Sequence, residues 1–551
     1  AAPRRLAPGE SVLVLDAGDV RCNELLGSGG RYLIAVINTE ALATASAAFQ
    51  LRGAAQAASA LARVAPVATP VTTGAPLMAR TGGAGAQNRL HPDPAVHHAA
   101  LAANRRLFER RRPRRGAGDR GDVATAAFVA SHTPGDVIRV RVPAIRADDP
   151  CDTYTEVNAR AVFVGNRVAV YEDLAAPLAR TADEYLEKIG NEVESLVLGL
   201  IQQNFGDPLA MDPHNDGDGR VRIVFTRAVN QQGGLLGFAF AGDFFDRETC
   251  AASDRGEILY AVVPTEPGSG FIGFTRENWY RFIRASIVHE LKHVAAIAER
   301  FARSAPRLEE VWLEEATAMA AEEIWARHVH GLSPGSNADH RATLFCEVRP
   351  TTAACAGRPV VMLPHFERLY DYYATIESSS PLGPVATGDV SFYGSAWSLV
   401  RWAADHFAPA EAAFFGALTR ETQLTGVANL EARTGRTFPE LLALWALASA
   451  VDDRPGFAAG RPELRLPSWN TRDIFAGLNA DFPGLFPRAF PLMPRELSGP
   501  DFLVVVNPLR GGTASLFELA PGPVQRQLLE LRSSVGGPPP SSLRLAILRI
   551  E

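Results

Sequence analysis

The sequence predicts an α+β fold, in which a mostly antiparallel sheet and a helical part form a core between two small β-rich ends. Three observations predict it. Short runs alternating apolar and polar residues, punctuated by Gly, Asp and Asn, fill residues 1–53 and return after residue 461. A second block of such runs lies within residues 136–275, with one helical segment inside it. From 276 to 460 the apolar residues instead recur three and four apart, the spacing of one helix face.

Composition narrows the function classes. An apolar fraction of 47% is too high for a disordered chain. With 55 basic against 61 acidic residues and a net charge of -6, no basic field exists to hold nucleic acid. The apolar run 441–451, bounded by Glu440 and Asp452, falls well short of the ~20 residues a membrane span needs. Of the five cysteines, Cys346 and Cys355 are near enough to close a small loop, and Cys22, Cys151 and Cys250 allow at most one further pair. None is spaced as CxxC, which argues against a zinc ribbon. This usage favours an oxidising compartment. The start Ala1-Ala2-Pro3 fits a mature chain after signal cleavage, so the expected location is secreted or periplasmic.

In chain order, residues 11–15, 32–38 and 48–51 read as strands of a first small unit. Residues 54–135 read as a connector carrying a short helix at 95–112. That helix runs into Arg110-Arg111-Arg112-Pro113-Arg114-Arg115, taken as a solvated arm. Proteolysis there would yield a smaller active form starting near residue 116. Strands follow at 137–142, 159–164 and 167–171, the last two joined by a Gly165-Asn166 hairpin turn. A helix starts at Thr181 with Asp183 and Glu184 in its first turn. The acidic run from Asp212 to Gly219 departs from the EF-hand spacing and reads as a tight turn, with calcium as the alternative. Strands at 220–226 and 257–263 bracket a Gly-rich stretch, 233–242. That stretch reads either as a loop or as a sheet edge able to pair with an extended peptide. After the helical region, residues 461–551 form a C-terminal β unit with strands at 502–506, 513–519 and 543–550.

The chemistry concentrates in Ile287-Val288-His289-Glu290-Leu291-Lys292-His293. Thr275 is the expected N-cap of its helix, with Glu277 in the first turn. His289 and His293 are one turn apart on one face, so both imidazoles can reach one Zn²⁺. Glu290 is rotated by about 100° from the first ligand and can flank a bound water. Lys292, with Lys188 one of only two lysines in the chain, reads as solvent-facing. Downstream stands Glu310-Val311-Trp312-Leu313-Glu314-Glu315-Ala316. Glu309, Glu310, Glu314 and Glu315 crowd this stretch, and Glu315 shares a face with Val311 and Ala318 while Glu314 falls with Glu310 and Thr317. Glu322, two turns on, is either an acceptor for a ligand imidazole or surface charge.

HExxH followed by W-L-x-E-x-x-A resembles the gluzincin class of zinc metallopeptidases, nearest to hyicolysin-like secreted bacterial peptidases. Tyr393-Gly394-Ser395-Ala396-Trp397 matches an aromatic-Gly-x-Ala-Trp segment expected there. The resemblance is close over residues 287–320 and loose over about 150–455. It implies a zincin-like core at 136–460, one zinc per chain held by His289, His293 and Glu315, and a zinc-bound water activated by Glu290. Glu314 stands where many members have Asn. Tyr393 is the expected donor to the oxyanion, with His330, His365 and His406 less favoured. The implied activity is an endopeptidase acting as a monomer on protein or peptide. The alternatives are a zinc hydrolase of another amide or ester, or a silent adhesion or scaffold protein.

Overall fold

In a computed structural model, which describes residues 3–26, 30–56, 94–110, 132–266, 276–522 and 524–551, strands from both ends of the chain alternate within the same sheets. Strands β1 (Ser11–Val14), β2 (Cys22–Leu26), β3 (Tyr32–Asn38) and β4 (Ser46–Gln56) precede helix α1 (Pro94–Arg110). Next come β5 (Val137–Pro143), β6 (Tyr154–Val164) and β7 (Val168–Asp173). Helix α2 (Asp183–Glu192) runs through a π-helical turn at Val193–Val197 into α3 (Leu198–Asn204). Then follow β8 (Val221–Phe225), α4 (Arg227–Gln232), β9 (Gly237–Ala239) and β10 (Glu257–Ala261). The helical region holds α5 (Arg276–Ala302), α6 (Val311–His330), α7 (His340–Val348), α8 (Met362–Ala374) and α9 (Ser391–Phe407). It continues with α10 (Glu411–Arg420), α11 (Gly426–Thr434), α12 (Phe438–Val451) and α13 (Thr471–Asp481). Strands β11 (Arg495–Ser498), β12 (Phe502–Arg510), β13 (Thr513–Ala520), β14 (Arg526–Ser533) and β15 (Leu543–Arg549) close the chain.

The two flanking units read from the sequence interleave. A five-stranded sheet has the order β1-β15-β3-β13-β11, and a four-stranded sheet the order β12-β4-β14-β2. Phe49, Leu51, Leu529 and Leu531 of one meet Ile34, Val36, Phe517 and Ile547 of the other in a shared apolar layer. The central strand β3 is apolar on both faces for a reason. Ile34 and Val36 face that layer, while Leu33, Ala35 and Ile37 join the main core, where α12 lies against the sheet. Each such side chain contributes roughly 1.5–3 kcal/mol by leaving water. Residues 461–551 are also not purely β. Ile474, Phe475 and Leu478 of α13 belong to the main core.

The central sheet has the order β5-β6-β7-β8-β10-β9. Three of its five pairings are antiparallel, and β7, β8 and β10 run parallel to one another. The α2–α3 crossover between β7 and β8 makes that direction possible. Side-chain alternation carries no information on strand direction, so the sequence does not mark the parallel pairs. Strand β9 forms one edge, antiparallel to β10. The long helix α5 packs against both, anchored where the Trp279 indole donates to the Val262 carbonyl at 2.9 Å. The expected N-cap Thr275 lies outside the described residues; Glu277 is in the first turn. Cys151 pairs with Cys250 and Cys346 with Cys355, leaving Cys22 free and exposed. Two disulfides are consistent with an extracytoplasmic location. No described helix is long and apolar enough to cross a membrane.

Candidate metal centre

Helices α5 and α6 pack side by side and bring the predicted ligands together. One ligand atom from each of His289, His293 and Glu315, together with one from His97 of α1, lies within 4.8 Å of the others. Glu315 Oε2 is 3.2 Å from His289 Nε2, and its Oε1 is 3.8 Å from His293 Nε2 and 3.0 Å from His97 Nδ1. Ligands at 2.0–2.1 Å from a tetrahedral Zn²⁺ stand about 3.3 Å apart, so these separations suit such an ion. All four side chains are buried. The Nε2 atoms of His289 and His293 and both Glu315 oxygens make no hydrogen bond of proper geometry. Buried polar atoms without partners are costly, and a cation at their centre would satisfy all of them. The residues present therefore fit a divalent metal.

Two further carboxylates set the imidazoles. His289 Nδ1 donates to Glu322 at 2.6 Å, and His293 Nδ1 donates to Glu314 at 2.7 Å. A carboxylate only accepts, so the Nδ1 proton is fixed and Nε2 of each ring is left as the atom that could face a cation. Glu314 lies beside the ligand set and Glu315 within it. Glu314 also takes Lys292, whose ammonium is 2.8 Å away. Lys292 is 1% exposed and not solvent-facing. Its side chain turns toward α6, which covers the face expected to be free.

Electrostatics follow from this crowding. Burial raises the Glu315 carboxyl, but His97 and His289 outweigh it and hold it well below the usual range. Glu314 is driven down to about 2 as Lys292 and His293 overcome its burial. Burial lowers the His289 imidazole, yet Glu315 and Glu322 push it up to about 9. The cluster is thus rich in anionic oxygen that only cations stabilise.

Glu290 is 4% exposed, with Oε1 3.3 Å from His97 Nε2. Glycine at 237 brings the edge strand β9 against it, since a Cβ there would meet Glu290 Cγ at 3.1 Å and the Tyr260 carbonyl at 3.0 Å. Tyr393, in the first turn of α9, places its hydroxyl 3.4 Å from His97 Nδ1. The three other histidines lie elsewhere. His365 spends both nitrogens on the carbonyls of Val361 and Met319, His406 contacts the Arg465 carbonyl, and His330 approaches Glu347. The acidic turn is closed by Asp212 accepting from the Gly219 amide at 2.9 Å, and Asp216 and Asp218 pair with Arg222. There Asp212, Asp216 and Glu257 also approach within 4.8 Å of one another.

Sequence reasoning missed His97. The signal was present, because His97, Leu101, Asn104 and Phe108 are spaced as one helix face. What the chain shows, then, is a buried His and Glu cluster able to hold a metal, with two histidines spaced as in HExxH. A scan against protein-family models matches none, and a search of curated proteins finds no relative.

Proposed function

We propose that the chain is a zinc-dependent peptidase of the gluzincin type, secreted or periplasmic, that cuts within protein or peptide substrates as a monomer. One observation carries the reading. Three buried ligand atoms from His289, His293 and Glu315 converge without hydrogen-bond partners, beside a glutamate that is not part of the set. A zinc ion held there supplies a Lewis acid for the scissile carbonyl and brings the pKa of a water toward about 7. Glu290 accepts the water proton as the oxygen attacks the carbonyl carbon. It then hands that proton to the amine nitrogen as the C–N bond breaks. Tyr393 donates to the developing oxyanion from the start of α9. The outward edge of β9 offers backbone groups that hold an extended peptide next to Glu290.

Metal analysis and a peptide-library digest test this. Purified protein should hold about one zinc per chain. Glu290→Gln should keep the metal while losing cleavage, as wild type should under a chelator. Zinc-free protein overturns the reading, as does a Glu290→Gln variant that cuts at the wild-type rate.

A further inference from the structure

Helix α1 brings Leu101, Asn104 and Phe108 into the cleft along with His97. Its inward stripe is His97, Leu101, Asn104 and Phe108, at i, i+4, i+7 and i+11. Phe108 is 2% exposed and seats its ring 4.5 Å from that of Phe301 at the end of α5. Leu101 borders a small, partly open cavity beside His293, walled by Ala296, Ile297, Leu308 and Val311. Asn104 lies over the edge strand. Its amide nitrogen donates to the Ala239 carbonyl at 2.8 Å, and its oxygen accepts from the Ala241 amide at 3.0 Å. The Leu236 carbonyl of the adjoining residue accepts from Val262, on the β10 side. Ala239, of the opposite parity, therefore turns its backbone groups outward, and the Ala241 amide opens the short helical turn that follows β9. Asn104 thus occupies two backbone groups on the side of this edge that a bound peptide would approach.

His97 fills the rest. Nδ1 lies at the metal cluster, 3.0 Å from Glu315, and Nε2 lies 3.3 Å from Glu290. One ring therefore takes the fourth position of a tetrahedral metal and engages the proton acceptor as well. Four protein ligands make a closed site, whereas hydrolysis needs one position open to water.

We infer that α1 is a built-in cap that holds this enzyme latent, with His97 as fourth protein ligand of the metal and Asn104 standing in for a substrate backbone. The inference rests on the metallopeptidase reading. α1 must leave the cleft as a unit, since His97 and Asn104 sit on the same face of one helix. Its withdrawal opens the metal, Glu290, the β9 edge and the apolar cavity together.

Zinc K-edge absorption on wild type, His97→Ala and Asn104→Ala tests the coordination without reference to activity. Wild type should show three imidazoles and His97→Ala two. Amide exchange at Ala241 should speed up in Asn104→Ala. On a quenched peptide library, His97→Ala should cut on the order of 10- to 100-fold faster than wild type, as expected when a closed form dominates the population. Two imidazoles in wild type, or a His97→Ala rate no higher than wild type with Glu290-dependent cleavage intact, overturns the cap. Loss of the peptidase reading looks different. Cleavage would then be absent from both proteins or indifferent to Glu290→Gln, while the imidazole count still reports whether His97 binds metal.

Discussion

Glu290 and Glu315 at the metal centre and Asp243 and Glu257 near the acidic turn are all buried, yet their carboxyls move in opposite directions. Burial raises every one of them. At the metal centre His97, His289 and His293 crowd the carboxylates and reverse the sign. Near the turn the neighbours are other acids, Asp254 for Asp243 and Asp212 for Glu257, and they add to burial. Equal depth thus depresses the carboxyls in one place and raises them in the other. The partners decide which.

The largest effect belongs to the turn. Glu257 is pushed up to about 8 from its ordinary 4.5, so between those values the native chain holds a proton that the unfolded chain has lost. Its stability is full below pH 4.5 and drains as pH rises toward 8, at about 1.4 kcal/mol per pH unit. Urea unfolding of metal-free protein from pH 5 to 8 should show at least that slope, and Glu257→Gln should lower it by about 1.4 kcal/mol per pH unit, leaving the share of Asp254, Asp452 and His289. Erasure of the Glu257 share in wild type by millimolar calcium would make the turn a second cation site and break the comparison.

At the metal centre, Lys292→Met removes the cation that keeps Glu314 ionised. Leaving one member of a buried pair costs roughly 3–5 kcal/mol. An unfolding midpoint equal to wild type would show that His293 alone sustains the glutamate. Next in size is Glu315→Gln. If apparent zinc binding energies of about 10–16 kcal/mol divide over the ligands, one ligand is worth ~3 kcal/mol, or about 100-fold in affinity. Competition with a chromophoric chelator measures it. Glu322→Gln should be the mildest, weakening zinc about 10-fold by loosening the His289 ring. A Glu322→Gln loss as large as that of Glu315→Gln would place Glu322 among the ligands.

What the sequence made legible was local. His289, Glu290 and His293 are gathered by spacing on one helix, while Glu315 on the next was joined to them by the resemblance, with the face it shares with Val311 and Ala318 in support. Lys292 was misread because the same spacing cannot say that α6 would cover its side of α5. His97 was lost for a related reason. It sits on a segment far upstream, beside an arginine-rich run that reads as a connector, and only the packed structure carries it across to α5. Strands β2, β11 and β14 went unnoticed because their alternation is short or interrupted by charge, as in Arg526–Ser533. Their place is set by partners at the opposite end of the chain, which no local window contains.

The interleaved sandwich also imposes an order on birth. β3 lies between β13 and β15, and β4 between β12 and β14. Asn38 pairs with Thr513 and Leu543, and Gln50 with Val505 and Arg532. On a ribosome the first strands emerge with no sheet to join and wait until β12 to β15 have been made. Closing so long a loop is slow because its entropy is spent before any pairing is gained. The two ends therefore become ordered together and last, and a chain stopped short of β15 leaves its own beginning unfolded.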